Sequence, residues 1–210
     1  LPVYCVKVRD QVLPWSVGGH PALEFCNTYS GWGGSRRPGS EWLRSYATLA
    51  VWAGYMDLAD EPTVTWLIRQ GQAKPAEAAI VLDEARVLRK HVYAYLVNPD
   101  DRRSFSVVAR FAEAAVKHSV FVRDGDGLGR WRLARHGDLR LPVHAAARAA
   151  ADLLADPCRF TVRACPGDHC GWLFPDQSGQ RRYCSVVACG KAARERAGSV
   201  PAACRPDAML

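Results

Sequence analysis

No apolar run in the 210-residue chain approaches the ~20 residues a membrane-spanning helix needs. The opening LPVYCVKVRDQVLPW mixes charges among its apolar residues and lacks the uninterrupted apolar stretch of a signal peptide. These absences lead to the expectation of a cytoplasmic protein with no membrane partner. Also missing are a Gly-x-Ser-x-Gly elbow, a glycine-rich phosphate loop and an His-Glu-x-x-His pair. The stretch DGDGLG lacks the ligand spacing and closing Glu of a calcium loop, so it reads as a hairpin turn. There is no internal repeat and no long low-complexity linker. No residue is nominated as catalytic, and the reading favours a non-enzyme.

What is present suits a globular protein: 49% of residues are apolar and 23% charged. Ala22 to Thr28 follows a Gly-Gly turn and reads as a strand or a short helix. Ser40 is the expected N-cap of a buried helix over EWLRSYATLAVWAGYMDLA. Pro62 opens a short helix to about Gln70, and Pro75 a longer one to about Val97. Ser104 is the expected cap of a helix reaching Lys117. HSVFVRDGDGLGRWRLARHG then supplies two strand-like runs around an Asp/Gly turn. Pro142 opens an alanine-rich helix that Asp156-Pro157 ends, and CRFTVRAC reads as a strand. The expected fold class is α+β: a mainly helical N-terminal domain with a short hairpin, followed without a linker by a small C-terminal four-cysteine zinc-binding module.

That module rests on spacing. Of eight cysteines, four form two pairs, Cys165/Cys170 and Cys184/Cys189, each with four intervening residues and thirteen between the pairs. Zinc takes four thiolates at tetrahedral corners, two from each short-range pair. Clustered cysteines in a reducing compartment more often bind metal than form disulfides. We read the four as ligands of a structural zinc; two disulfides or a redox thiol pair are the alternative. Gly171 relaxes the backbone after the second ligand, and Trp172 and Phe174 supply a miniature core. His169 is a competing ligand beside Cys170, although four thiolates already close the site.

Charge is concentrated in the same segment. The whole chain carries +7, and residues 157–198 hold 7 basic residues against 3 acidic ones. Arg163, Arg181, Arg182, Lys191, Arg194 and Arg196 are the candidate phosphate contacts for a DNA partner. The alternative is a solvated basic face on a module with room for little else.

Five of the seven tryptophans fall in the first 66 residues, around His20, Glu24 and Asn27. If this opening is helical, those three polar side chains share a face, and with Trp32, Trp42 and Trp52 they form a candidate small-molecule pocket. The alternative is that His20 caps a turn, Asn27 bonds a loop backbone and the tryptophans fill the core. GWGGSRRPGS is a candidate lid or anion-binding loop, or an ordinary flexible one.

CPGDHCGWLFPDQSGQRRYCSVVACGKAARERA resembles the CGNR-type zinc fingers of bacterial, especially actinobacterial, regulators. The shared features are the cysteine spacing, Trp-Leu-Phe after the second cysteine, Asp-x-Ser, the basic pair before Tyr-Cys-Ser, and Cys-Gly at the fourth ligand. GGHPALEFCNT and LRSYATLAVWAGYMDL are similar to the opening and the first long helix of the ABATE domain that accompanies such fingers. The resemblance implies an ABATE-like domain over 1–157, a CGNR-like finger over 158–198 and a tail over 199–210. It further implies a stress-induced transcriptional regulator that binds DNA through the finger and senses a small molecule through the larger domain; a homodimer is compatible with it. The family's Asn-Arg after Cys-Gly reads Lys191-Ala192 here, which discounts the DNA-binding inheritance. The alternative is a family member turned to ligand binding or catalysis in specialised metabolism, with its zinc purely structural.

Overall fold

The computed structural model describes residues 5–32, 34, 39–133 and 138–199, with side chains described as far as Glu195. GWGGSRRPGS lies largely outside the described residues, and so do residues 200–210 of the tail. An antiparallel hairpin comes first, β1 (Cys5–Val8) paired with β2 (Gln11–Pro14). Among the described residues seven α-helices follow: α1 (Pro21–Asn27), α2 (Tyr46–Tyr55), α3 (Glu61–Ala73), α4 (Pro75–Val97), α5 (Arg102–Lys117), α6 (Leu141–Ala155) and α7 (Lys191–Ser199). A second hairpin, β3 (Ser119–Arg123) with β4 (Gly129–Leu133), lies between α5 and α6. A third, β5 (Val162–Ala164) with β6 (Leu173–Pro175), opens the cysteine module. The expected fold class is what forms: a mainly helical body with small hairpins and a compact four-cysteine module.

The ambiguous segment after the Gly-Gly turn is a helix. In α1 every residue from Ala22 to Asn27 is buried, and the helix packs against α4, α6 and β6. Proline at its start and the His20 cap, whose Nδ1 accepts the Ala22 N–H, nucleate this seven-residue element. A helix so short is held by tertiary packing on all sides rather than by propensity.

Two caps differ from the sequence expectation. Helix α2 is capped by Ser45, which accepts the Thr48 N–H at 3.1 Å, and not by Ser40. The stretch between them stays extended because Trp42 N–H donates to Thr28 O and Glu41 is committed elsewhere. Glu41 forms a bidentate pair with Arg89 of α4, at 2.7 and 2.5 Å, and Arg89 also donates to both oxygens of Thr28. Arg89 is 4% exposed, so this pair is a buried tie between α4 and the loop after α1. Helix α5 is capped by Asp101, which accepts from both N–H and Oγ of Ser104.

The main core joins Leu23 and Phe25 of α1, Leu49 and Trp52 of α2, Leu67 of α3, Leu88 and Val92 of α4, and the alanines of α6. Phe25 and Trp52 meet ring to ring at 5.0 Å. Helix α6 buries Leu141, Val143, His144 and Leu153 together with five alanines, and α1 and α5 pack against it.

Candidate metal centre and its seam with the helical body

Strand alternation splits the cysteine module between two cores. On β6, Leu173 points into the core of the body, while its neighbours Trp172 and Phe174 pack with Cys165, Cys170 and Cys184. The module is thus a small core of its own, with Val162 of β5 and Leu173 of β6 given over to the larger one.

Cys165 follows β5 directly, and the chain reverses so that Cys165 N–H donates to Trp172 O, Cys170 N–H to Gly167 O, and Gly171 N–H to Cys165 O. Gly171 has φ +68°, and a Cβ there would lie 2.7 Å from Trp32 Cβ, so both backbone and space demand glycine. The other pair is set by one turn of π-helix, Val186–Gly190, which Ser185 caps by accepting the Ala188 N–H. Cys189 is carried on that turn, and Cys184 N–H donates to the Cys165 sulfur at 3.4 Å.

The result is a cluster of four free thiols whose sulfurs all lie within 4.8 Å of one another. Cys170 and Cys184 sulfurs are 3.6 Å apart, and Cys184 and Cys189 sulfurs 3.7 Å. A tetrahedron with Zn–S bonds of about 2.3 Å has edges of about 3.8 Å. The cluster therefore fits zinc and is not disulfide-bonded. Hydrogen bonds from Cys170, and then from its other two neighbours, push the Cys165 thiol far below its ordinary value. Cys165, followed by the other two, pushes Cys184 far above it. Four sulfurs so close cannot all ionise without a cation, and a divalent metal supplies the charge that lets them. His169 is exposed and stands outside the cluster. With four thiolates the shell is closed, so the zinc is structural.

Three contacts clamp the module onto the body. Asn27, fully buried on α1, reads the edge of β6 as a neighbouring strand would: its Nδ2 donates to Leu173 O at 2.9 Å and its Oδ1 accepts the Leu173 N–H at 2.7 Å. Gly31 N–H donates to Cys170 O at 2.8 Å. Arg181 stacks on Phe174 and donates to Cys184 O at 2.6 Å and to Val17 O at 3.0 Å, bridging metal ligand and body.

The remaining candidate residues separate into distinct places. Glu24 Oε1 accepts from Ser16 Oγ and from the backbone N–H groups of Gly18 and Gly19, at 2.6, 2.7 and 2.9 Å. It thereby holds the Gly-Gly turn, where a Cβ on Gly18 would meet Leu23 Cβ at 2.6 Å. Trp32 stacks on Tyr93 at 4.0 Å and donates to Cys26 O, and Trp52 is core. Trp42 lines a cavity of about 250 Å³ against the metal cluster, with Trp15 and Trp172. His20 instead opens on a groove of about 570 Å³ between α6, the α2–α3 connection and β4. The six side chains do not share one pocket. Among the basic residues, Arg163 rests on the carbonyls of Phe160 and Val162. Arg182 and Arg194 are exposed, and Lys191 pairs loosely with Glu195. The Arg196 side chain lies outside those described. The Arg89–Glu41 tie and the Arg181 bridge to Val17 carry no sequence signal, since their partners are far along the chain or are main-chain atoms.

A helical body with a reduced four-sulfur zinc module clamped at its seam defines a zinc-finger protein whose metal holds structure. The ABATE family model, described as "Putative stress-induced transcription regulator", matches residues 19–157, and the CGNR zinc finger model matches residues 161–198. The chain belongs to the ABATE family and carries a CGNR zinc finger directly after that domain. No curated protein matches it. Among the described residues, no helix is long and apolar enough to cross a membrane.

Proposed function

We propose that the protein is a transcriptional regulator that binds duplex DNA through the outer face of its zinc module. The observation that carries this reading is the division of labour among the module's basic side chains. Arg181 is spent on carbonyl oxygens at the seam and Arg163, though exposed, on neighbouring carbonyls, whereas Arg182 and Arg194 are exposed and among the described residues make no hydrogen bond or ion pair. Lys191 and Arg194, three positions apart on α7, lie on one side of that helix, and with Arg182 they suit phosphate contact rather than the reading of bases. The sensing role goes to the groove that His20 lines with Asp60, Trp131, Arg132, Arg148 and Asp152. Its mixed charges and one indole suit a polar small molecule. The metabolic alternative calls for a pocket touching His20, Glu24 or Asn27; His20 opens on such a groove, whereas Glu24 and Asn27 are engaged with backbone partners.

Fluorescence anisotropy of a labelled duplex, titrated at several salt concentrations, tests the DNA reading. We expect an affinity that falls steeply with salt. Replacing both Arg182 and Arg194 by Ala weakens it several-fold and lowers the salt slope by about 2, close to 0.9 per phosphate contact. No affinity at the lowest salt, or an unchanged slope in the double variant, overturns it.

A further inference from the structure

We propose that His118, Asp138 and His144 form a second metal site, holding a divalent first-row transition ion such as zinc, on the helical body and independent of the cysteine cluster. The proposal does not rest on the DNA-binding reading.

His144 sits in the first turns of α6, 5% exposed; its Nδ1 has no hydrogen-bond partner among the described residues, and its Nε2 has only a long contact to Asp138 Oδ2. Buried polar atoms are nearly always well paired, so an imidazole this poorly satisfied points to a partner of another kind. What faces it is a set of metal-ligating groups. Asp138 Oδ2 lies 3.5 Å from His144 Nε2 and 3.9 Å from His118 Nδ1. The two imidazoles stack at 4.5 Å, and one ligand atom from each of the three residues falls within a 4.8 Å cluster. Metal–nitrogen and metal–oxygen bonds of about 2.0–2.2 Å at tetrahedral angles place ligand atoms about 3.3–3.6 Å apart. The two carboxylate contacts are within about 0.3 Å of that spacing, while the two imidazoles, whose ligand atoms lie within 4.8 Å, close on an ion by up to about 1.2 Å with a turn of the stacked rings.

Hydrogen bonds behind these side chains aim them at one point, as they do around a bound metal. The other carboxylate oxygen, Asp138 Oδ1, accepts the Arg140 N–H at 2.8 Å, which orients Oδ2 toward the histidines. The Arg140 guanidinium, the nearest cation in sequence, is turned away into a two-pronged pair with Glu84 at 2.8 and 3.0 Å. His118 caps the C-terminus of α5, the end of a helix that favours positive charge. It is also exposed, giving an ion a path from solvent.

Two histidines and one carboxylate are a donor set for zinc, iron or manganese, and three protein ligands leave coordination open for water or an oxygen-donor ligand. The site lies where α5, α6 and the β3–β4 hairpin converge, so an ion there ties the hairpin's base to the body.

The test is the metal content of the untagged full-length chain after equilibration with Zn²⁺ and removal of free ion. Two zinc ions per chain are expected, one in each ligand cluster. His118→Ala and Asp138→Asn, both at accessible positions, are expected to retain one while keeping the circular dichroism of the native fold. In a chain dialysed so that only the cysteine cluster keeps its zinc, calorimetric titration with Ni²⁺ should show a site in the native protein that weakens at least tenfold in His118→Ala. One zinc per chain in the native protein, or the same metal content in native and variant proteins, overturns the proposal.

Discussion

His20 accepts the Ala22 N–H at Nδ1, so a proton on that nitrogen removes the cap of α1. Burial holds the imidazole below its ordinary value of 6.5, with Asp152 and Asp156 partly opposing. The folded state therefore takes up this proton less readily than the unfolded chain does. Stability present at neutral pH is lost as pH falls through the ordinary value toward the lowered one. Thermal melts should show the midpoint dropping from about pH 7.5 to about pH 5.5 by more in the native protein than in His20→Asn, a capping residue that does not titrate. Equal drops would contradict this origin. At the same scale the cysteines were legible from spacing alone, because tetrahedral sulfur geometry imposes it. Arg181 was not: its charge suggested phosphate, but its partners are the carbonyls of Cys184 and Val17, which no residue identity advertises.

Element boundaries were read well wherever a proline or a hydrophobic period marked them, as in α4 and α6, whose starts lie at Pro75 and beside Pro142. The start of α2 was misplaced from Ser40 to its true cap Ser45 because a buried ion pair, Glu41 with Arg89, overrides the local capping signal. The β1–β2 hairpin went unread, since four-residue strands with mixed charge give little alternation. Asn27 shows the limit most clearly, since its type permits strand-edge mimicry while the strand it reads lies 146 positions away. Asn27→Ala leaves both the N–H and the C=O of Leu173 buried without partners. We expect a loss of about 2–6 kcal/mol in denaturant unfolding, at about one to three per orphaned group. A loss below about 1 kcal/mol would mean that water or a rearranged β6 satisfies them.

The whole molecule is one body and one module joined by a boundary of hydrogen bonds and by Val162 and Leu173, which the module gives to the body's core. Zinc organises the module, the module presents β6, and α1 reads that strand through Asn27. Removing the metal should therefore loosen the seam before it loosens the helices, because the module's own core is little more than Trp172 and Phe174 beside the cysteines. The most direct measurement is amide hydrogen exchange with and without a zinc chelator, read at Leu173 and at the buried turns of α4 and α6. The account predicts that Leu173 loses its protection on zinc removal while Leu88, Val92 and Ala146 keep theirs. Unchanged protection at Leu173 in metal-free protein would contradict it.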